Sequence, residues 1–440
     1  MSHQTPPPQA RQAAYAQEEA QYTSSNPKSQ ELYNEATKSL PGGNTRSVLF
    51  YPPFPLTTVS AESCHLTDAD GHVYTDFLGE YTAGLYGHSN RTIQIAISAA
   101  VDRGLSFGSH HADESKLARL IRDRFPSIDL LRFTNSGTEA SLMALAAAKV
   151  FTGRDKILVF DGGYHGGVFA FVHGSSPLNA PHDYLIARYN DILSVDDLLA
   201  QHGPHLAAII VEPLLGSGGA IPATPAFLNY LRACATAVGA LLIFDEVMTS
   251  RLFSGGGVQT ELAITPDLTT LGKYLGGGLS FGAFGGRQAI MRLFDPREHA
   301  SLRHAGTFNN NVLTMAAGRA GLESIFTPAV ARALHARGDA LRLRLNTAAR
   351  GTLLRVTGSG SIMAFHFSRT PADEIRSPQD LSDECVGLGD LLHLYLLRRR
   401  FYIARRGFVT LSLPLGEDEL EGFVNAVEGF IAEYRALLQV

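Results

Sequence analysis

Three short, uninterrupted apolar runs constrain this chain most: Lys156–Phe160 (KILVF), Ala207–Val211 (AAIIV) and Ala240–Phe244 (ALLIF). An alternating pattern would suit a sheet with one wet face. Continuous runs suit strands buried on both faces, which is the state of strands in a parallel sheet covered by helices. Parallel strands need long crossovers. Stretches of helical length, Glu139–Phe151 and Pro225–Val238, lie where such crossovers would run. The region from about 90 to 325 is therefore expected to be an α/β domain with a mostly parallel sheet flanked by helices.

The flanks read differently. Residues 1–28 are rich in Gln, Pro, Ala and Ser and are expected to form a mobile tail or a loosely packed arm. Residues 29–89 hold a strand-like run at 72–78 after an Asp70-Gly71 turn, and are assigned to a smaller lobe. Residues 326–440 complete that lobe with an α+β pattern. Leu353–Phe367 reads as two strands broken at Gly358–Gly360, and Phe401–Leu413 as two more around Arg405-Arg406-Gly407. A closing helix over Glu417–Leu438 keeps Leu420, Phe423, Val424, Val427 and Phe430 on one face and three acids in its first turn. Arg398–Arg400 are expected to close the helix before it, where cations suit the dipole.

Composition excludes several classes. A net charge of −5 argues against a chain-wide nucleic-acid surface. No run reaches the ~18 apolar residues of a membrane span, so no membrane partner is expected. Three cysteines far apart, without a CxxC, argue against a disulfide framework or a zinc site. They fit a reducing, cytoplasmic setting. P-loop, GxGxxG and HExxH patterns are lacking.

Four places could carry chemistry. Asn135-Ser136-Gly137-Thr138-Glu139 follows a strand-like LLRFT and opens a helix. Free amides, hydroxyls and the helix dipole could hold a phosphate there, or the segment is an ordinary N-cap. Asp245 ends a buried apolar run, as Glu212 does in IIVEP. Strand ends of that kind are where open α/β sheets bind ligands, although a carboxylate there can also cap a loop. Lys273 sits among glycines and apolar residues in LTTLGKYLGGG, where desolvation would make an amine nucleophilic, or it is a surface lysine beside a flexible loop. Gly162-Gly163-Tyr164-His165-Gly166 puts an aromatic ring on a flexible turn, fit to stack on a flat molecule or to be partly buried.

Together these segments change the reading. A helix start for phosphate, an Asp at a strand end and a lysine in a glycine-rich loop are what pyridoxal 5'-phosphate requires. The chain resembles the class III aminotransferases of PLP fold type I, which include glutamate-1-semialdehyde aminomutases. LPGGNTRS, DADGHVYTDF, RFTNSGTEA, GGYHG, IIVEP, IFDEVMTSR, TTLGKYLGGG, FGAFGG and HAGTFNNN carry the likeness, which runs from about 35 to 435.

The resemblance implies a large domain with a seven-stranded-type sheet. It implies that Lys273 forms the Schiff base and moves the substrate proton, and that Asp245 pairs with the ring nitrogen. Ser136, Gly137 and Thr138 would hold the phosphate, with Tyr164 on one ring face and Val247 on the other. His165, Glu212 and Met248 would complete the cofactor's surroundings. Thr307 would be given to the partner subunit's phosphate site, so a homodimer is implied.

Within the family, NTRSVLFYPPFPL, EYTAGLYGHS and RRGFVTLSLPL look most like the β-amino acid (β-phenylalanine) aminotransferases. That subgroup implies carboxylate binding by Arg46 and Arg406, beside a pocket of Val48, Phe50, Tyr51, Tyr81, Ala83, Phe281 and Ala283; the alternative is that the two arginines are structural ion-pair partners. Arg405 departs from the subgroup's pattern and could compete for the role of Arg406. The expected reaction moves an amino group from a small-molecule β-amino acid donor to an oxo acid such as 2-oxoglutarate or pyruvate. Aminomutase or racemase chemistry on the same fold is the alternative. A non-catalytic binding protein on that fold is a reading from another class.

Overall fold

The computed structural model describes residues 8–172, 174–382, 385 and 387–439. The apolar runs pair into one seven-stranded sheet. Its strands are β1 (Leu130–Thr134), β2 (Lys156–Phe160), β3 (Asp183–Ala187), β4 (Leu206–Val211), β5 (Leu241–Asp245), β6 (Leu268–Gly272) and β7 (Gly282–Gly286), in the order β1-β7-β6-β5-β4-β2-β3. β7 is antiparallel to both its neighbours, and the other pairings are parallel. Every residue of β4 is fully buried, which is why the run carries no polar alternation. The Gly137–Thr152 helix lays Ala140, Ala144, Ala147 and Ala148 against Ile157, Val159, Ala208, Ile210 and Ile243. Alanines let the helix axis approach the sheet closely, and each buried Ile or Val contributes about 1.5–3 kcal/mol. A left-handed Gly153 (φ +66°) ends that helix.

These strands belong to one compact unit, Arg91–Ala336 with Ile375–Asp380. Its register aligns the strand ends: Asp245 stands opposite Thr270, Gly272 opposite Gly282, and Gly282 opposite Thr134. The residues just past β1, β2, β4, β5 and β6 therefore emerge along one edge of the sheet, the edge at which such sheets bind ligands.

The other unit comprises residues 1–90, 337–374 and 381–440. It contains a four-stranded sheet of Thr58–Glu62, His65–Asp68, Val73–Asp76 and Phe401–Tyr402. A three-stranded sheet of Leu354–Ser359, Ile362–Phe367 and Phe408–Thr410 accompanies it. The change from one unit to the other at Ala336/Arg337 falls inside the Pro328–Ala348 helix. Arg398 ends the Leu388–Arg398 helix, and the Glu417–Glu433 helix buries the predicted apolar face.

The tail reading needs correction. Pro8–Ser25 is a helix, followed by another at Pro27–Ala36. Glu18 is buried and accepts bonds from both Arg398 (2.8 and 2.7 Å) and the Tyr434 hydroxyl (2.7 Å). Tyr22 joins a core with Tyr51, Phe54, Tyr74, Leu394 and Leu397. The physical cause is helix propensity. Ala, Gln and Glu are strong helix formers whatever their polarity, and a few aromatic anchors suffice to dock such a helix.

Candidate active site

The strand ends deliver a small polar cluster into an apolar interior. Asp245, last residue of β5, is buried and accepts a bond from His165 Nδ1 at 2.8 Å through Oδ2. Its Oδ1 takes the Val247 amide at 3.0 Å. His165 comes from the glycine turn after β2 and is equally buried. Burial alone would lower its pKa. The bond to Asp245 and the charges of Asp245 and Glu212 outweigh burial and raise it. Glu212, just past β4, accepts the Tyr164 amide (2.8 Å) and the Gly216 amide (3.1 Å). Its burial pushes the carboxyl up from an ordinary 4.5 to about 7. Two acids share one imidazole here, so a further positive charge beside Asp245 would be welcome.

Close approaches define the rest. A Cβ on Gly137 would lie 2.9 Å from Val247 Cγ2, and one on Gly272 would lie 3.1 Å from Val247 Cγ1. Val247 is thus seated between the start of the Gly137–Thr152 helix and the end of β6. Met248 packs on Gly216, where a Cβ would meet its sulfur at 2.2 Å. Thr138 Oγ1 accepts the Gly167 amide at 3.3 Å. The Ser136 hydroxyl caps the helix by accepting the Glu139 amide at 3.2 Å, and its own O–H is left to donate. Tyr164 is 42 % exposed on the same turn. Lys273 follows β6 directly, half-buried, with φ +59°. A lysine in left-handed backbone is strained, as is common at working positions.

These residues fit pyridoxal 5'-phosphate. The helix start offers amides and hydroxyls to a dianion. The buried carboxylate of Asp245 has acceptor capacity for a protonated ring nitrogen. A lysine stands at the end of the adjacent strand. Sequence reasoning included Asn135 in the candidate phosphate segment but gave no role to Asn309. Asn135 donates to Glu139 (3.2 Å) and to Asn309 (2.9 Å), tying the helix start to the segment that carries Thr307. That link joins residues 174 apart and left no local signal. Thr307 itself is exposed.

The two arginines lie in the other unit, and both gather on one ring. Arg46 sits over Tyr81 at 5.7 Å and Arg406 over the same ring at 5.3 Å. Tyr81 is buried, its pKa raised by burial, and its hydroxyl donates to the Val48 carbonyl at 3.2 Å. Arg46 pairs with Glu80. Arg405, the expected competitor, is committed elsewhere: it makes a two-pronged pair with Asp390 at 2.6 and 2.8 Å. Part of the expected apolar pocket is core instead. Tyr51 packs with Tyr22 and Phe54, Phe281 packs on Phe133, and Ala283 is fully buried within β7. Val48 and Phe50 are exposed. The three cysteines are unpaired.

Fold and site together define a family. The aminotransferase class-III model matches residues 50–389, and the chain belongs to that class. A β-phenylalanine transaminase from Variovorax paradoxus is 52% identical over 419 residues, covering 95% of each chain. The crystal structure of a β-phenylalanine aminotransferase from the same organism superposes with a TM-score of 0.95 over 98% of this chain and 99% of that one, at 51% identity. A glutamate-1-semialdehyde 2,1-aminomutase from Nitratidesulfovibrio vulgaris is 40% identical over 80% of this chain and 86% of its own. The chain is a transaminase, and pyridoxal 5'-phosphate is its cofactor.

Proposed function

We propose that this transaminase takes its amino group from an aromatic β-amino acid resembling β-phenylalanine and gives it to a 2-oxo acid such as 2-oxoglutarate or pyruvate. The pairing of Arg46 and Arg406 on Tyr81 carries this reading, since it gives a carboxylate two guanidinium forks on a rigid aromatic base. The 52% identity to the Variovorax enzyme supports it. Bound pyridoxal phosphate supplies the electron sink that lets an amino group leave one carbon and later join another. Lys273 anchors that group and moves the proton at the amine-bearing carbon. Asp245, steadied by His165, keeps the ring nitrogen protonated. Ser136, Gly137 and Thr138 hold the phosphate, while Tyr164 and Val247 flank the ring and Glu212 and Met248 shape the turn around it. Thr307 serves the partner subunit in a homodimer. The exposed Leu105, Phe107 and Phe308, which line a hollow of about 370 Å³ with Thr307, support such a covered face.

Among the described residues no helix is long and apolar enough to cross a membrane, and we place the enzyme in the cytoplasm. An aminomutase needs no separate acceptor, which gives the test. Adding racemic 3-amino-3-phenylpropanoate without an acceptor should bleach the protein's yellow absorbance, and 2-oxoglutarate or pyruvate should restore it. A band indifferent to that compound sinks the substrate reading. Lys273→Ala should lower turnover by more than about 1,000-fold, and normal turnover in that variant would refute the assigned role.

A further inference from the structure

Cys64, His65 and Glu419 bring three different metal-ligating groups together within the unit that holds the smaller sheets. Cys64 Sγ, a ring nitrogen of His65 and a carboxylate oxygen of Glu419 all lie within 4.8 Å of one another. Among the described residues no other trio of His, Cys, Asp or Glu side chains is so placed. The backbone explains the convergence. Neighbours along a strand point to opposite faces. Cys64, however, stands in the turn between the Thr58–Glu62 and His65–Asp68 strands, after a left-handed Ser63 (φ +55°), so it and His65 reach the same point. Glu419 arrives from the first turn of the Glu417–Glu433 helix. Its Oε2 accepts the Gly416 amide at 2.9 Å, which leaves Oε1 turned to His65.

The contacts inside the trio are long. His65 Nε2 lies 3.8 Å from Cys64 Sγ and 4.0 Å from Glu419 Oε1, and the second distance is beyond a hydrogen bond. Tetrahedral zinc, with a thiolate at about 2.3 Å and imidazole and carboxylate donors at about 2.0–2.2 Å, sets its donor atoms about 3.3–3.7 Å apart. Closing these two edges by about 0.2–0.7 Å turns the trio into a three-ligand site. Rotation of the two partly exposed side chains, His65 (42%) and Glu419 (26%), supplies that movement. We propose that Cys64, His65 and Glu419 form a zinc-binding site, with water in the fourth position, that pins the Ser63–Cys64 turn to the start of the Glu417–Glu433 helix. One sulfur, one imidazole and one carboxylate favour zinc over magnesium or calcium, which take oxygen donors. Burial and the charges of Glu419 and Asp76 raise the pKa of Cys64, so it is a thiol before metal arrives. On binding, the S–H bond breaks, the sulfur gives its electron pair to the metal and the proton leaves to solvent. No CxxC spacing announces such a site, because its third donor comes from a helix distant in sequence.

The test is calorimetric titration of zinc chloride into the holoenzyme after dialysis against a chelator. One zinc should bind per chain and release about one proton, read from the heats in two buffers of different ionisation enthalpy. Zinc at a hundredfold excess over its Kd should raise the unfolding temperature by about 3 °C, and magnesium or calcium should not. Cys64→Ser should weaken zinc binding by at least about 100-fold, and Glu419→Gln by about 10-fold or more. Gln keeps an acceptor for the Gly416 amide, so the second variant preserves the helix cap and decides the matter if Cys64→Ser fails to fold. Cys385→Ser, at a thiol outside the trio, should change nothing. Zinc affinity that survives either Cys64→Ser or Glu419→Gln to within about 3-fold overturns the proposal. A titration that magnesium reproduces, or zinc binding lost in Cys385→Ser, overturns it equally. None of these readouts involves turnover, so the outcome is independent of the substrate reading.

Discussion

Gly166 is the position where one added methyl group should cost the most cofactor. Its φ is +126°, a value essentially reserved for glycine. A Cβ there would lie 2.3 Å from Thr138 Oγ1, 2.6 Å from Thr138 Cβ and 2.7 Å from Thr138 Cα. Rotating χ1 of Thr138 relieves only the first of these overlaps. The other two involve atoms fixed by the helix backbone, so either the glycine turn or the first turn of the Gly137–Thr152 helix must move. Backbone strain of about 1–3 kcal/mol adds to overpacking of similar size. If half of that falls on the bound state, the loss is about 1–3 kcal/mol, or roughly 5- to 150-fold in affinity for pyridoxal phosphate. The assay is titration of the cofactor-stripped Gly166→Ala protein with pyridoxal phosphate, read by visible absorbance. Gly167→Ala is the matched control, since a Cβ there meets nothing within 4 Å and should change affinity less than about 2-fold. Equal affinities for Gly166→Ala and the parent would refute both the packing argument and the placing of Thr138 at the phosphate.

Other outcomes follow from the same geometry. Glu212 holds its proton more tightly in the fold than its ordinary value of 4.5, up to about 7. Its contribution to stability should therefore be complete below about pH 4.5 and fall by at most about 3 kcal/mol as pH rises to 7. The raised pKa of His165 acts in the same direction from its ordinary 6.5 upward. Glu212→Gln should flatten the first part of that decline. Calorimetric unfolding of the cofactor-free protein between pH 5 and 8 measures this, since the chain has no tryptophan for fluorescence, and an unaltered pH slope counts against a buried, proton-holding Glu212. Arg406→Ala should raise KM for the β-amino acid by about 10-fold or more. Arg405→Ala should leave KM unchanged and lower the unfolding temperature slightly, because its partner is Asp390. Interchanged effects would show that the two neighbours have the opposite duties.

Much of the sheet was legible, and the reason is local. Continuous apolar runs can be satisfied in few ways, so the bounds predicted for β2, β4 and β5 agree with the structure to within a residue. Asp245 was legible for a related reason, since it lies immediately beyond such a run, whereas Lys273 and Ser136 were singled out by the glycines and hydroxyls around them. Register was not legible. The alignment of Asp245 with Thr270, and of Gly272 with Gly282, is decided by side-chain packing across the sheet. The N-terminal helix was hidden because its polar composition outweighed its propensity in the reading. The choice between Arg405 and Arg406 rested on Asp390, fifteen residues away on a helix.

The Gly79–Thr82 turn, with all four φ values positive, shows where local reading ends. Glu-Tyr-Thr contains no glycine or asparagine to announce left-handed backbone, and each residue there costs about 1–2 kcal/mol in that conformation. Nothing within the segment repays this. Repayment comes from Asp76, which takes two amides at the start of the turn, and from the Phe408–Thr410 strand, which receives Tyr81 and closes over Gly79. A relaxed turn at this point would be more stable locally and would point Glu80 and Tyr81 elsewhere. The strain and the arginine pair thus share one cause, and that sets a condition on any variant that relaxes the turn. Thr410→Ala removes the hydroxyl that bonds the Leu78 carbonyl at 2.9 Å and crowds Gly79. It should raise KM for carboxylate substrates while leaving cofactor affinity unchanged, because Thr410 belongs to the unit that carries the arginines and not to the one that carries the Gly137–Thr152 helix and β5. Parallel losses in cofactor and substrate affinity would mean that the turn supports the fold generally and has no particular tie to the arginines.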